Sequence, residues 1–281
     1  YWRRVFERFG HIVRIIAPQF VKPFVKSNKN DAADAEAICE AVQRPSMRFV
    51  PGKSIQQQDI QSIHRIRSQA VARRTAQANQ IRGLLMEYGI IIPKGISYVR
   101  QQIPSILEDA ENELSFLFRE LLIDLYDEMV HLDQRIKTLE IKLETLCANS
   151  PDCQRLLTIP GVGLLSATAL VAAIGDITVF NSGRELAAWL GLVPRQHSTG
   201  GKPTLLGISK RGDTYLRTLL IHGGRTVVRV AAKHQDRRSE WVCKLEERRG
   251  KNRAAVAVAN KNARTAWALL SQKTTYEKMA A

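Results

Sequence analysis

The chain has 281 residues, 42 of them Lys or Arg against 27 Asp or Glu, giving a net charge of +15 and a pI of about 10.0. At roughly 100–200 residues per domain there is room for about two domains, and a hydrophobic content of 44% is compatible with packed cores. The charge is uneven: ten basic against five acidic residues in 1–55, fourteen against sixteen in 56–201, and seventeen against five in 202–273. Two basic ends around a near-neutral centre argue for a polyanion, nucleic acid ahead of a membrane, because Arg-rich clusters suit phosphate geometry better than solubility requires. Cys39, Cys147, Cys153 and Cys243 form no C-x-x-C pair and the histidines are scattered. Neither a zinc site nor a disulfide framework is expected, and a reduced, cytoplasmic setting is inferred. No cleavable signal peptide is visible. Leu156 to Gly175 carries no charge, but Pro160, Gly161 and Gly163 break it early, and the unbroken remainder is too short to cross a bilayer.

Trp2, Val5, Phe6 and Phe9 recur at helical spacing, and His11 to Ala17 (HIVRIIA) reads as a buried strand. A helix–strand unit with nothing before it, in a chain starting at Tyr1, reads as a fold that has lost its beginning. Pro18 and Pro23 punctuate a lysine-rich loop, after which Asn30 or Asp31 opens a helix to about Val42. Beyond a loop marked by Pro45, Pro51 and Gly52, a long helix is predicted from about Ser54 to Tyr88. Ile60, Ile63, Ile66, Ala70, Ala78, Ile81 and Leu85 supply its apolar stripe, and Arg65, Arg67, Arg73, Arg74 and Arg82 stud the rest. Gly89 to Gly95 is a break, and residues 111–147 predict a second long helix. In it Phe118, Leu125, Leu132, Leu139 and Leu146 fall seven apart, with Leu122, Met129, Ile136 and Leu143 between them. Apolar residues at every a and d position make a coiled-coil pattern, pairing either with another subunit or back onto residues 54–88. The remainder reads as helical with short loops: from Ser209 or Asp213 to about Ala232, Trp241 to Arg248 and Ala254 to Leu270. Trp189, Trp241 and Trp267 sit in apolar helical patterns and read as core.

Chemistry concentrates in three places. In Asn30-Asp31-Ala32-Ala33-Asp34, two carboxylates three apart share a helix face and repel unless a cation lies between them. Mg2+, a hard oxygen-seeking ion, fits that task, while Asp31 as N-cap with Asp34 in the first turn is the simpler account from spacing alone. Glu36 and Glu40 add to the acidity of this helix start. In Leu156 to Gly163 (LLTIPGVG), followed by Ala167 and Ala169, a helix, a Pro-Gly-x-Gly turn and a second helix form a helix–hairpin–helix pattern. Its backbone N–H groups at Gly161 and Gly163 could take a phosphate without reading sequence, or the turn could serve packing alone. Finally, Ser198-Thr199-Gly200-Gly201-Lys202 crowds hydroxyls, glycines and cations into one loop near Arg195, Lys210 and Arg211. A hydroxyl there can donate to a phosphate oxygen or attack phosphorus, with those four cations stabilising the charge that develops. His197 adjoins Ser198, and sequence neighbours seldom point the same way.

The segments KSNKNDAADAEAI, IPGVG, LAAWLGLVPRQHSTGGK and LLGISKRGDTYLRTLLIHG together resemble the DEDD-type bacterial insertion-sequence transposases guided by a bridge RNA (the insertion-sequence 110 family, 1111 subgroup). The likeness covers nearly the whole chain. It implies a mixed, mainly α fold: a truncated RNase H-like α/β piece in 1–50, long coiled-coil helices in 51–150, and an α-helical transposase domain with the hairpin in 151–281. It also implies four acidic metal ligands, the last two spaced as Asp31 and Asp34 are, which turns that pair toward Mg2+. The family's first Asp and its Glu lie upstream of the Trp-containing helix and cannot be placed in a chain that starts at Tyr1, so this chain is expected to bind Mg2+ weakly and to be inactive without the missing part. The family's nucleophile is, in some members, a serine immediately before the glycine. Thr199 holds that position here, and Ser198, with its less hindered primary hydroxyl, is favoured to take the role.

The implied function is cut-and-rejoin DNA recombination, with Ser198 or Thr199 and the Asp31/Asp34 site as catalytic groups. DNA and a guide RNA are the implied partners, held by Arg65, Arg67, Arg73 and Arg74, the Gly161/Gly163 turn, and Arg195, Lys202, Lys210 and Arg211. The heptads would build a homo-oligomer. A DNA-binding remnant without chemistry is the alternative, and a tyrosine recombinase using Tyr215 is a weaker one, since Tyr215 sits in an apolar helical pattern with Leu216 and Leu219.

Overall fold

Polar side chains set most of the helix starts by accepting hydrogen bonds from backbone N–H groups that have no partner within the helix. The computed structural model describes residues 1–26 and 30–277, so Ser27, Asn28 and Lys29 of the KSNKNDAADAEAI segment lie outside the described residues. The N-terminal part consists of α1 (Trp2–Arg8), β1 (Ile15–Ile16), the short α2 (Pro18–Val21), α3 (Asp31–Val42) and β2 (Phe49–Val50). The buried strand expected over His11 to Ala17 is reduced to Ile15 and Ile16, which pair antiparallel with Val50 and Phe49 and stay partly exposed. Among the described residues no second layer packs over this two-stranded ribbon, so it has no buried face to extend the strand.

Two long helices come next in the chain. Ser54 and Gln57 close a reciprocal capping box at the start of α4 (Ile55–Met86), and Ser115 caps α6 (Phe116–Ala148). Between them lies α5 (Ile96–Glu108), absent from the sequence expectation. The heptad seam of α6 turns back onto the same chain. Phe118, Leu122 and Met129 pack with Ala78, Ile81 and Leu85 of α4 and Val99 and Ile103 of α5, and Leu132 and Ile136 meet Ala70. Of the two pairings open in the sequence, the structure contains the one onto residues 54–88. Cross-helix ion pairs fix the register: Arg67 to Glu140 at 2.6 Å, Arg74 to Asp133 at 2.7 Å, and Arg100 to the other oxygen of Asp133 at 2.5 Å.

The C-terminal part is a helical cluster interrupted by a β-hairpin. It comprises α7 (Pro151–Leu157), α8 (Leu164–Ile174), α9 (Gly183–Trp189), β3 (Pro194–Thr199), β4 (Lys202–Ile208), α10 (Thr214–Val230), α11 (Arg237–Arg249) and α12 (Lys251–Gln272). The hairpin corrects the expectation of helices and short loops throughout. The core of this helical cluster joins Leu156, Leu170, Leu186, Leu190 and Leu220 to an alanine face of α12 at Ala259, Ala263 and Ala266. Ile60, Leu143 and Ala172 tie the long helices to α8. Trp267 donates its indole N–H to the Phe180 carbonyl at 2.8 Å, in keeping with a core role. Among the described residues no helix is long and apolar enough to cross a membrane.

α10 comes unusually close to its neighbours. A Cβ at Gly223 would lie 1.8 Å from the Gly161 carbonyl oxygen, and one at Gly224 would lie 2.3 Å from that of Ala255. In a helix, Gly→Ala normally stabilises by about 0.5–1 kcal/mol. At Gly83 of α4, where nothing lies within 4 Å, that gain should appear. Gly223→Ala should instead lose roughly 1–3 kcal/mol or more, as overpacking does. Opposite signs in urea unfolding of the two variants would verify the contact, whereas a stabilised Gly223→Ala would disprove it.

Candidate active site and nucleic-acid interface

The hydroxyl-rich segment forms the tip of the β3–β4 hairpin. Gly200 and Gly201 both take positive φ, 56° and 75°, as a two-residue turn of this hand requires. Thr199 pairs with Lys202, Ser198 with Pro203, His197 with Thr204 and Gln196 with Leu205. Because side chains alternate along a strand and cross-strand partners share a face, Thr199 lies with Lys202 and His197, two residues away. Ser198 lies on the other face with Gln196, whose amide donates to the Ser198 hydroxyl oxygen at 2.8 Å. Ser198, Thr199, Arg195, Lys202, Lys210 and Arg211 are all exposed.

The base of the hairpin is clamped. Ser209 donates its N–H to the Val193 carbonyl at 2.8 Å, and Lys210 to that of Gly191 at 3.2 Å. The buried Arg217 of α10 gathers the Leu190 and Arg211 carbonyls at 3.4 and 3.3 Å. Asp213 caps α10, accepting from the Tyr215 and Leu216 N–H groups. Lys53 is held below the usual lysine range first by burial and then by Arg65 of α4, while Asp213 pulls it the other way. Arg65 itself is exposed. Arg73 is exposed, whereas Arg67 and Arg74 are engaged by the carboxylates of α6.

Asp31 and Asp34 stand on the first turn of α3, but Asn30 is the cap, its side-chain amide oxygen accepting from the Ala33 N–H at 2.9 Å. Asp31 is thus not spent on capping. Glu36 and Glu40, by contrast, are bound by Lys26 and Arg44. Two carboxylates with water filling the remaining positions are a donor set that Mg2+ accepts, although no cluster of three or more metal-binding side chains occurs among the described residues. In the Pro160–Gly163 turn, Gly161 has φ +85° and lies against Gly223 and Val227, while Gly163 begins α8 with open space around it.

Two features escaped the sequence reading. His64 is buried between the Tyr215 hydroxyl at 2.9 Å and the Thr168 hydroxyl at 3.0 Å, joining α4, α8 and α10. Tyr215 is therefore part of an interhelical clasp. Burial, and then Arg67, push His64 down to about 4. Second, the buried Arg238 donates to the Pro160 and Asn262 side of the α7–α8 turn, where Asn262 also donates to the Pro160 carbonyl at 3.0 Å. The partners lie 24 to 151 residues apart, beyond the reach of local pattern.

Residues 153–239 match the family described as Transposase IS116/IS110/IS902 family, and residues 6–90 match a second transposase family, DEDD_Tnp_IS110. The chain is 53% identical over 98% of its length to a probable family 20 transposase of Pseudomonas aeruginosa, covering 82% of that protein. It is 49% identical over 98% of its length to the transposase for insertion sequence element IS1111A of Coxiella burnetii, covering 76% of it. Against the transposase for insertion sequence element IS1328 of Yersinia enterocolitica it is 43% identical over 98% of its length, covering 81%. The chain belongs to the IS116/IS110/IS902 transposase family. It is accordingly a DNA transposase, and the sites above belong to a protein that works on DNA.

The His64 clasp makes stability depend on pH. A folded pKa of about 4 lies below an unfolded value of about 6.5. Its contribution is therefore complete above pH 6.5 and is lost as pH falls through 4. Between pH 7.5 and 4.5 the native chain should lose roughly 2–3 kcal/mol more than His64→Gln does, measured by urea unfolding at both pH values. Equal losses in the two proteins would show that His64 is not buried neutral.

Proposed function

We propose that this transposase cuts and rejoins DNA through a hydroxyl on the β3–β4 hairpin tip, with Ser198 as nucleophile and Thr199 as the second candidate. The observation that carries this reading is the pair of exposed hydroxyls, Thr199 on the Lys202 face and Ser198 on the opposite one, at the tip of a hairpin whose base is held by Arg217. The Ser198 oxygen forms a bond to a backbone phosphorus, one P–O bond of the DNA breaks, and the hydroxyl proton leaves as the departing DNA oxygen gains one. Attack of a DNA hydroxyl on the phosphoserine reverses these steps and rejoins a strand without net hydrolysis. Gln196 holds the Ser198 oxygen, and Arg195, Lys202, Lys210 and Arg211 offset the charge of the phosphorane. Asp31 and Asp34 would hold Mg2+, which supplies Lewis-acid polarisation of phosphate oxygens when bound.

In this reading residues 1–50 are part of an RNase H-like unit, 51–150 a coiled-coil section and 151–281 the transposase domain with a helix–hairpin–helix at Gly161 and Gly163. Arg65 and Arg73 are the cations of α4 free to meet DNA or a guide RNA, with Arg67 and Arg74 available only if their ion pairs open. A homo-oligomer in the bacterial cytoplasm would bring one copy's acidic helix to another copy's hairpin.

Trapping tests the chemistry. Incubated with end-labelled insertion-sequence DNA and Mg2+ and then denatured, the chain should retain label. Ser198→Ala should abolish the adduct and Thr199→Ala should reduce it by less than tenfold. An adduct that survives Ser198→Ala but not Thr199→Ala moves the nucleophile to Thr199. One that survives both, or forms with neither parent nor variant, removes the hydroxyl mechanism. Asp31→Asn should lower adduct yield while leaving the melting temperature nearly unchanged, since the cap is Asn30.

A further inference from the structure

The Pro160–Gly163 turn has a cavity on each side. On one side, a groove of about 740 Å3 runs between the start of α8 and α10, and His222, Arg225 and Arg229 project from α10 along it at helical spacing. Its lining contains no acidic residue, and among the described residues neither arginine has an ion-pair partner. On the other side, a smaller cavity of about 140 Å3 shares Gly161 and Thr226 with the groove and is lined by Arg238, Ser239 and His234.

Arg238 is 8% exposed, and two of its nitrogens, Nε and Nη1, are closed off from solvent with no hydrogen-bond partner among the described residues. Its Nη2 serves the Pro160 carbonyl and the Asn262 amide oxygen, and the Tyr276 ring covers the guanidinium at 5.4 Å. Asp236, in the same lining, directs its carboxylate to the Arg238 and Ser239 N–H groups and the Ser239 hydroxyl as the cap of α11. A buried guanidinium with two free donors and no carboxylate partner is a strong anion receptor, and its fork geometry suits phosphate oxygens.

We propose that groove and cavity form one backbone-phosphate track. Successive phosphates of a nucleic-acid strand lie against Arg225, Arg229 and the α8 N-terminus, and one phosphate group reaches Arg238 when the Tyr276 ring that covers it moves aside. The proposal deepens the nucleic-acid reading above and rests on it. It adds His222, Arg225, Arg229 and Arg238, none of which the sequence singled out. It also assigns the turn a definite occupant: a strand held without base contacts, so affinity should be indifferent to sequence.

The experiment measures anisotropy of a fluorescein-labelled duplex of about 20 base pairs over a range of NaCl, using the full chain. Arg225→Gln/Arg229→Gln should weaken binding on the order of tenfold and flatten the salt slope by about 2, for random and insertion-sequence duplexes alike. These residues are exposed, so folding should survive. In parallel, inorganic phosphate should raise the melting temperature of the parent and not that of Arg238→Met, and the duplex should compete with phosphate for the parent. If the parent binds duplex with a steep salt slope and the double variant matches it, the track is wrong while the transposase reading stands. If phosphate stabilises the parent but the duplex never competes, the cavity takes a free phosphate ion and the strand assignment falls. If the parent binds no duplex at any salt, the nucleic-acid reading fails together with the track.

Discussion

The adjacent glycines of α10 are the constraint on which the C-terminal half depends. Gly223 lets the Gly161 carbonyl sit against one side of the helix, and Gly224 lets the Ala255 carbonyl sit against another. No side chain could occupy either contact, so α10 is held between the α7–α8 turn and α12 at backbone distance. The hairpin base and the groove both hang from that helix. Its start carries Asp213 and Arg217, which organise the hairpin base, and its last turns carry Arg225 and Arg229 along the groove. A shift of α10 would move the hairpin and the groove together, so the proposed strand binding and hydroxyl chemistry would share one mechanical reference.

Charge is divided between structure and function by burial. In the long helices, within the near-neutral stretch 56–201, arginines meet carboxylates across the α4–α6 interface. Partly buried pairs of this kind contribute register more than stability, because the Coulombic gain offsets desolvation only incompletely. In the C-terminal part the two buried arginines find carbonyls rather than acids. Arg217 holds two main-chain oxygens at the hairpin base, and Arg238 holds one at the turn. Neutral acceptors leave the positive charge in place, so these residues brace the fold and sustain a positive potential at once.

Elements whose cause is local were legible in the sequence. The heptads of α6, the Ser54 cap and the stripe of α4 arise from periodicity and capping, and each lies within two residues of its expected start or, for α6, within five. The β-hairpin was missed because its strands are exposed on both faces and lack the apolar alternation of a half-buried strand. Gly200-Gly201 between two polar runs was the available signal. HIVRIIA misled for the opposite reason: its apolar content suggests burial, but no layer covers it. Arg67 and Arg74 looked like free cations because Glu140 and Asp133 lie 73 and 59 residues away. The composition of the site was therefore readable, and the allocation of each cation to an acid, a carbonyl or solvent was not.

The exposure of the hairpin tip bears on how the chemistry proceeds. Phosphoryl transfer is driven chiefly by fixed charges acting where water is excluded. In the isolated chain Ser198, Thr199 and Lys202 stand in open solvent, where a cation several ångströms from a phosphorane is worth little. Leu205 and Leu206 beside them are 66% and 46% exposed, apolar side chains with no cover on either face of the ribbon. A strand of DNA, or a second copy laid across the tip, would bury those leucines, displace water from the hydroxyls and raise the effect of every neighbouring cation. On the proposed hydroxyl mechanism the resting hairpin would carry its nucleophile and charges unshielded, and covering the tip would be the step that completes the site.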